Sequence, residues 1–310
     1  MIDFTHNNHL KYYIGERLYS TRMTEIEKFR ISVGKIDNDQ YASSNYNDEL
    51  LRIAHLVYKQ LGKDCTLFLS GGTDSEIVLR NLVSIGIKPT CHTIRFENEY
   101  NLHDVKESTE ITNELGVKLN IIDFNIKNFF YSGEAAELAA QLQCSQIAYL
   151  AVCKNIISLG GTPAIMGGEL MLQRNIHTNP STWNYAFREN EDAALFRCSM
   201  IYDIPIVNEW FSYTPEIMLY YLENADIINL VTDKFNYKLS SVSSKNTILK
   251  KLIPDTRFKL KTHGFEKLLA FNFEVGRKLK PLMIPRLESS LDGLEYNKVV
   301  NMLKGNNGSN

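Results

Sequence analysis

The chain has 310 residues, of which 44% are hydrophobic and 23% charged, and its formal net charge is −2. This balance is typical of a globular protein and gives no overall reason to expect a nucleic acid or an anionic membrane as partner. No apolar run approaches the roughly 18 residues that a membrane-spanning helix needs. The N-terminus lacks the basic-then-apolar layout of a secretory signal, so we expect a cytoplasmic protein.

The cysteines and histidines give no sign of a structural metal. The five cysteines are an odd number, are widely spread and form no CxxC pair, and the seven histidines show no zinc-like spacing. They are Cys65, Cys91, Cys144, Cys153 and Cys198. Several lie in apolar segments, so we expect reduced thiols in the core.

The first part of the chain is polar and aromatic and predicts an N-terminal extension with strands near 11–18 and 28–36. The apolar spacing of residues 47–61 then predicts an amphipathic helix, which Gly62 would end.

From residue 66 onward, short apolar runs alternate with helical patterns. Strands are predicted at 66–69, 90–96, 117–124 and 163–166, and helices at 75–85, 102–115 and 145–159. This alternation predicts an α/β fold, a parallel sheet with flanking helices and right-handed crossovers. Ligands of such sheets bind beyond the carboxyl ends of the strands. The turns after Leu69, Phe96 and Met166 should therefore face one crevice.

After about residue 190 the pattern changes to helices and irregular connections, which predicts a C-terminal, mainly helical lobe. One helix should begin with Thr214 as N-cap and Pro215 in its first turn. Further helices are predicted at 246–252 and 265–279. The expected regions are an extension at 1–45, an α/β core at 46–190, a helical lobe completing the ligand site at 191–304 and a disordered tail at 305–310.

One turn between a predicted strand and a predicted helix carries most of the chemical information. It consists of Leu69, Ser70, Gly71, Gly72, Thr73, Asp74 and Ser75. Glycines let the backbone approach a ligand closely, and a helix start presents N–H groups and a positive dipole end. An anion is the natural occupant, and phosphate is the expected one. The alternative is a plain strand-to-helix turn in which Ser70 or Thr73 only caps the helix.

A carboxylate in such a turn needs a separate explanation, because it does not bind phosphate directly. Asp74 makes sense as a Mg²⁺ ligand, since Mg²⁺ prefers carboxylates together with phosphate oxygens. The alternative for Asp74 is a second N-cap in the same turn. The hydroxyls of Ser70, Thr73 and Ser75 would cradle the phosphates.

The run Ser-Gly-Gly-Thr-Asp-Ser at 70–75 resembles the PP-loop of the N-type ATP pyrophosphatases. This superfamily includes asparagine synthetase, GMP synthetase, NAD synthetase and several tRNA-modifying enzymes, and its fold is the adenine nucleotide alpha hydrolase-like (HUP-type) parallel sheet. The resemblance implies ATP and Mg²⁺ as cofactors. It also implies cleavage between the α and β phosphates, which leaves an AMP adduct on the substrate and releases pyrophosphate.

Later segments are similar to the synthetase domain of asparagine synthetase and its relatives, β-lactam synthetase and the lasso-peptide cyclases. In that family the backbone at the end of the second strand holds the adenine, which implies this role for Thr93, Ile94 and Arg95. The segment 164–169 falls where the family has a strand ending in a Gly-Glu-Gly-x-Asp-Glu loop. The resemblance thus places Gly167 and Gly168 at the nucleotide.

Glu169 is the carboxylate of that loop, and the resemblance leaves it two roles: the catalytic glutamate or a shifted metal ligand. A Glu without chemical role is the alternative. The family's second metal-binding aspartate has no counterpart, because Leu-Met-Leu follows at 170–172.

Residues 245–265 look like the family's segment of lysines, Leu-Pro and Arg-x-Lys-x-Gly-Phe. Either Lys261 or Lys259 would neutralise charge on the leaving pyrophosphate. As an alternative, these lysines form a solvated basic face. Ile2 follows Met1, where the glutaminase half of asparagine synthetase has its cysteine nucleophile, so ammonia from glutamine is not expected within this chain.

Three functions stay open at this stage. The first is an AMP-forming ligase that joins a small-molecule or peptide carboxylate to ammonia or an amine. The second is a PP-loop enzyme that modifies a tRNA or DNA base, suggested by the basic and aromatic residues between 234 and 261. The third is a non-catalytic ATP-binding relative. No membrane partner is expected, and the sequence leaves open whether the chain forms a homodimer.

Overall fold

The structure is a computed structural model that describes residues 10–14, 17–18, 29–33, 45–168, 171–174, 183–186, 189–208, 210–214, 216–217, 253, 256–257, 268–282 and 288–289. The strands are β1 Leu10–Ile14, β2 Arg17–Leu18, β3 Phe29–Val33, β4 Thr66–Phe68, β5 Thr90–Phe96, β6 Leu119–Phe124, β7 Ala164–Ile165, β8 Met171–Arg174, β9 Trp183–Ala186, β10 Ile206–Val207 and β11 Glu288–Ser289. The helices are α1 Tyr46–Leu61, α2 Thr73–Ser84, α3 Leu102–Leu115, α4 Ile126–Tyr131, α5 Glu134–Leu142, α6 Ile147–Ser158, α7 Glu189–Tyr202 and α8 Leu269–Leu279. Short 3₁₀ turns cover Glu97–Glu99, Trp210–Ser212 and Lys280–Leu282.

A five-stranded parallel sheet with the order β10-β7-β4-β5-β6 is the centre of the molecule. Its middle strand, β4, is buried along its whole length, and Leu67 pairs with Cys91 on one side and with Ile165 on the other. Strand β4 and residues 91–94 of β5 are buried in succession, so these stretches lack the alternation of a strand with one solvent-facing side. The predicted α/β fold with a parallel sheet and flanking helices is confirmed.

The order of the strands reverses direction at β4. The chain first moves from β4 through α2, β5 and α3 to β6, and it then returns to the other side of β4 to form β7 and β10. The carboxyl ends of β4 and β7 therefore flank a topological switch point. Open parallel sheets bind their ligands in the crevice at such a point.

A large apolar core packs on one side of this sheet. It joins side chains of β4 and β5, such as Phe68 and Ile94, to α4, α5, α6, α7 and α8. The short helices α4 and α5 were not predicted, although the sequence Glu-Ala-Ala-Glu-Leu-Ala-Ala-Gln-Leu of α5 has high helix propensity. The five cysteines are buried, which agrees with their expected place in the core, and burial raises the pKa of Cys91 to about 12.

Two helix starts are capped by side chains, of which only the cap at Thr214 was predicted. Asn45 caps α1, since its side chain accepts a hydrogen bond of 3.0 Å from the Asp48 N–H. Thr214 acts as the predicted N-cap, because its hydroxyl accepts from the Ile217 N–H at 3.3 Å.

The N-terminal strands lie in a separate sheet of order β11-β3-β1-β2. Nearly all of α7 and the whole of β10 fall in the predicted lobe, yet α7 packs with the core and β10 extends the main sheet. Most of the predicted helical lobe, including the helix expected at 246–252, lies outside the described residues, so the four-region division stays a prediction. Within the part of the chain that the structure describes, no helix combines the length and apolarity needed to cross a membrane.

Candidate functional site

The glycine turn, defined here as Leu69 to Ser75, leaves the end of β4 and includes the first residues of α2. The Leu69 N–H donates to the His92 carbonyl at 2.8 Å, which holds the start of the turn to β5. Gly72 is the N-cap of α2. Because the first N–H groups of a helix have no acceptor within it, those of the first turn of α2 face outward from the carboxyl end of β4. This arrangement suits an anion.

The hydroxyls of the turn are not equivalent. Ser75 is buried, and its hydroxyl donates to the Gly72 carbonyl at 3.0 Å and lies 3.4 Å from the Ser70 hydroxyl. Ser70 is exposed and accepts from the Gly72 N–H at 3.4 Å. Thr73 is buried at the first helical position. The Ser70 hydroxyl is thus the accessible one, and the Ser75 hydroxyl shapes the turn from inside.

Gly71 is required for steric reasons. Its φ of +66° is in the left-handed region, and a Cβ there would lie 2.6 Å from the Asp104 carbonyl oxygen. The start of α3 therefore packs directly on the glycine turn. It brings with it a half-exposed pair in which His103 Nε2 lies 3.2 Å from Asp104 Oδ1. This pair was not predicted from the sequence, because nothing local connects it to residue 71.

The turn after β7 meets the glycine turn at Asp74. A Cβ on Gly167 would lie 3.2 Å from the Asp74 Cβ and 3.3 Å from the Asp74 carbonyl carbon. Gly168 follows with a φ of +68°. The absence of a side chain at Gly167 therefore lets the two turns touch across the switch point. This contact joins two of the three turns that the sequence analysis expected to face one crevice.

The third turn, after β5, is held by one buried amide. Asn101 Nδ2 donates to the Ile94 carbonyl at 2.8 Å, and its Oδ1 accepts from the Phe96 N–H at 2.9 Å. Strand β4 ends at Phe68 and does not extend along Ile94 to Phe96. The side chain of Asn101 makes the hydrogen bonds that a neighbouring strand would make there. Part of the backbone predicted to hold adenine is thus already hydrogen-bonded within the protein. Asn101 was not predicted as part of the site, since its one local signal is its place just before a helix.

The structure also describes the other residues that were predicted to hold the adenine base. Thr93 is buried in β5, and Arg95 is half-exposed. Arg95 donates two hydrogen bonds, of 2.5 and 2.8 Å, to its cross-strand neighbour Asp123 on β6. This bonding raises the pKa of Arg95 and lowers the pKa of Asp123. The guanidinium is therefore engaged along the sheet edge.

Three of the predicted residues cannot be placed. Glu169, Lys259 and Lys261 lie outside the described residues. Among the residues that are described, no three His, Cys, Asp or Glu side chains gather closely enough to hold a metal ion.

Arg257, two residues before Lys259, contacts α2 and α3. Its backbone N–H donates to Glu76 Oε1 at 3.2 Å, and its Nη1 lies 3.2 Å from Glu110 Oε2. Arg257 belongs to the basic run considered for nucleic-acid binding, yet here it pairs with carboxylates of the same chain. Glu76 was not predicted as part of the site. Its one local signal is the i,i+4 spacing to Arg80.

No protein-family model matches the chain, and no curated protein matches it. Solved structures that resemble it include NMN synthetase from Francisella tularensis, with 10% identity and a TM-score of 0.33 over 81% of this chain and 100% of the other. Glutamine-dependent NAD⁺ synthetase from Acinetobacter baumannii has 12% identity and a TM-score of 0.36, over 90% of this chain and 53% of the other. A predicted tRNA methyltransferase subunit from Methanocaldococcus jannaschii has 19% identity and a TM-score of 0.30, over 48% and 68%. Likenesses at these TM-scores support no conclusion about activity.

Proposed function

We propose that the chain is a PP-loop, ATP-dependent, AMP-forming ligase that adenylates a substrate carboxylate and forms an amide, in the manner of asparagine synthetase. The observation that carries this proposal is the contact of the two glycine-containing turns at Asp74. It joins the helix start that suits phosphate with the turn after β7, at the switch point where a parallel sheet binds its ligand.

The first turn of α2 would hold the pyrophosphate end of ATP. Its N–H groups and the exposed Ser70 hydroxyl are donors that face a developing negative charge without reorganising. Gly71 and Gly72 let the backbone approach the phosphates. The base would lie beyond the end of β4, against the edge of β5 at Thr93 to Arg95, next to the amide of Asn101.

The residues present fit a Mg²⁺ ion held mostly by phosphate and water. Mg²⁺ in nucleotide sites usually takes one or two carboxylates from the protein. Asp74 is the carboxylate at the meeting of the two turns, and Glu169, one residue after Gly168, is the proposed second ligand or the catalytic base. The ion would neutralise phosphate charge during the reaction.

The reaction has two steps. A carboxylate oxygen of the substrate attacks the α-phosphorus of ATP, the bond from that phosphorus to the bridging oxygen breaks, and pyrophosphate leaves. Ammonia or an amine then attacks the acyl carbon, AMP leaves, and the nitrogen loses a proton, for which Glu169 is the proposed acceptor. The protein contributes orientation and charge stabilisation in both steps.

A lysine after Arg257 would stabilise the leaving pyrophosphate. Arg257 is hydrogen-bonded to Glu76, in the first turns of α2. Chains of two and four residues span at most about 7 and 14 Å, so Lys259 and Lys261 are both within reach of that part of the helix. The acceptor is proposed to be a small-molecule or peptide carboxylate, and a homodimer is compatible with all of these roles.

A product assay tests the function. Purified protein is incubated with Mg²⁺ and ATP labelled at the α-phosphorus, with panels of carboxylic acids and amines. AMP and pyrophosphate are expected in equal amounts, and Asp74→Asn should lower their formation about 100-fold, because the carboxylate charge at the phosphates is lost. Asp203→Asn is the matched control, since Asp203 is exposed with a φ of +56° that asparagine also tolerates.

The other outcomes separate the alternatives. ADP and phosphate as products would contradict an AMP-forming ligase. Binding of ATP without any turnover would indicate a non-catalytic relative. AMP release that requires tRNA or DNA, with binding that weakens steeply as salt increases, would indicate a nucleic-acid-modifying enzyme.

A further inference from the structure

A buried carboxylate follows the glycine turn almost at once. Glu76 is the fourth residue of α2 and is only 1% exposed. Its Oε1 accepts from Arg80 Nε at 2.9 Å and from the backbone N–H of Arg257 at 3.2 Å, and Arg257 Nε lies 3.6 Å away. The same oxygen atom of Glu76 therefore contacts Arg80 of its own helix and Arg257, which lies 181 positions after Glu76 in the chain.

The charge of Glu76 conflicts with an anion at the start of α2. A buried negative charge is weakly screened, so it repels phosphates bound one turn away. Two guanidinium groups oppose this repulsion. Arg80 belongs to α2 and also donates a hydrogen bond of 2.8 Å to Glu114. Arg257 reaches the same carboxylate from outside the helix, so its contribution depends on the docking of its segment.

Arg257 is itself held by several contacts on α3. Its Nη1 lies 3.2 Å from Glu110 Oε2, its Nη2 donates to the Glu107 carbonyl at 3.4 Å, and its Nε lies 3.8 Å from Glu114 Oε2. The planar guanidinium offers five donors in a fixed arrangement, which suits contacts to several oxygens at once. The position of the residue is therefore defined from two helices.

We infer that Arg257 is a positioning residue for nucleotide binding: it neutralises the buried carboxylate of Glu76 and ties the C-terminal part of the chain to the first turns of α2. The inference rests on the proposed function, since it takes the bound anion to be the pyrophosphate end of ATP. A residue that only fastened two segments together would act without regard to the charge of Glu76.

Charge compensation separates these two roles. In Arg257→Ala, Glu76 loses one of the cations that it contacts in the described part of the chain, and the affinity for Mg²⁺-ATP and for pyrophosphate should fall about tenfold. In the double variant Glu76→Gln with Arg257→Ala, the repelling charge is gone, and the affinity should return to within about threefold of wild type. A pure fastening role predicts no recovery, because the second substitution removes a further contact.

The experiment measures dissociation constants for Mg²⁺-ATP and for inorganic pyrophosphate by titration calorimetry. The variants are Arg257→Ala, Arg257→Lys, Glu76→Gln and the double variant. Arg257→Lys keeps the charge and should lose less than threefold. Lys154→Ala is the matched control, because it breaks an ion pair of 2.7 Å with Glu134 at α5 and α6, and its affinities should equal those of wild type.

A measurement that does not need ligand covers variants that fold poorly. Hydrogen exchange at the Arg257 amide should accelerate at least tenfold in Glu76→Ala, because Glu76 is the acceptor of that N–H. Unchanged exchange would overturn the inference, as would unchanged affinity in Arg257→Ala or a double variant no better than the single one. A wild type that binds pyrophosphate but forms no AMP would contradict the proposed function alone. The pyrophosphate affinities of the four variants would still decide the role of Arg257.

Discussion

Two buried glutamates, Glu49 on α1 and Glu76 on α2, are placed alike but differ in their partners. Glu49 is 0% and Glu76 1% exposed. Each is paired with an arginine of its own helix, Arg52 or Arg80, and each contacts a segment that comes much later in the chain. The chain thus uses the same device twice to bring later segments onto the core.

The later segments bring opposite charges to the two sites. The later residue that contacts Glu76 is Arg257, a cation. At Glu49 the later segment brings the Thr214 hydroxyl, which donates to Glu49 Oε1. It also brings Glu216, whose Oε2 lies 3.1 Å from Arg52 Nη2. Two carboxylates there share one arginine.

This difference appears in the protonation of Glu216. Burial is the main cause that raises the pKa of Glu216 to about 7, and the charge of Glu49 adds to it, while Arg52 opposes it. A buried carboxylate without enough positive charge takes up a proton instead. The comparison teaches that burial alone does not define the state of a glutamate, because its tertiary partners do.

The largest expected effect comes from removing the two central carboxylates. Glu76→Ala should lower the free energy of unfolding by about 3 kcal/mol. The guanidinium groups of Arg80 and Arg257 then lose their buried carboxylate and keep the half-exposed ones on α3. Glu49→Ala should cost less, about 2 kcal/mol, because Glu216 can then ionise and pair with Arg52. Urea denaturation measures both, and Glu137→Ala on the exposed face of α5 is the control, expected within about 0.5 kcal/mol of wild type. Equal losses for the two variants would break the comparison.

The second effect is a dependence of stability on pH at Glu216. Its pKa in the folded protein, about 7, is above the ordinary 4.5, so the folded state holds an extra proton between these values. Its contribution to stability is therefore full below pH 4.5 and is lost as the pH rises through 7. Wild type should lose up to about 3 kcal/mol relative to Glu216→Gln between pH 4 and pH 8. Parallel stability profiles for the two proteins would show that the pKa of Glu216 is the same in the folded and unfolded states.

The smallest effect concerns the hydroxyl that joins Glu49 to the helix start at Thr214. Thr214→Ala removes both the N-cap bond to Ile217 and the donor to Glu49, and we expect a loss of about 1–2 kcal/mol. Thr214→Ser keeps the hydroxyl and should stay within about 0.5 kcal/mol of wild type. Thermal and urea unfolding of the two variants measure the difference. A loss in Thr214→Ser as large as in Thr214→Ala would mean that the methyl group, rather than the hydroxyl, matters.

Much of the core could be predicted because its signals are local. The strand predicted at 90–96 and the helix predicted at 102–115 agree with β5 and α3, since a short run of strand-forming residues and a 3.6-residue period each lie within one element. Helices α4 and α5 were missed because they are short and lie between stronger patterns. The strand predicted at 163–166 agrees with β7. The two-residue strand β10 was not predicted, because it exists through its pairing with β7, which no local pattern contains.

The sequence by itself determined the chemistry of the glycine turn. Ser70 to Ser75 are consecutive, so the residue types at a helix start already specify donors, a carboxylate and freedom for an approaching ligand. Only the tertiary structure decided that Gly167 touches Asp74, that Asn101 occupies the open edge of β5 and that Arg257 lies on Glu76. These contacts join residues far apart in the chain, and their existence depends on strand order and helix packing rather than on any local pattern.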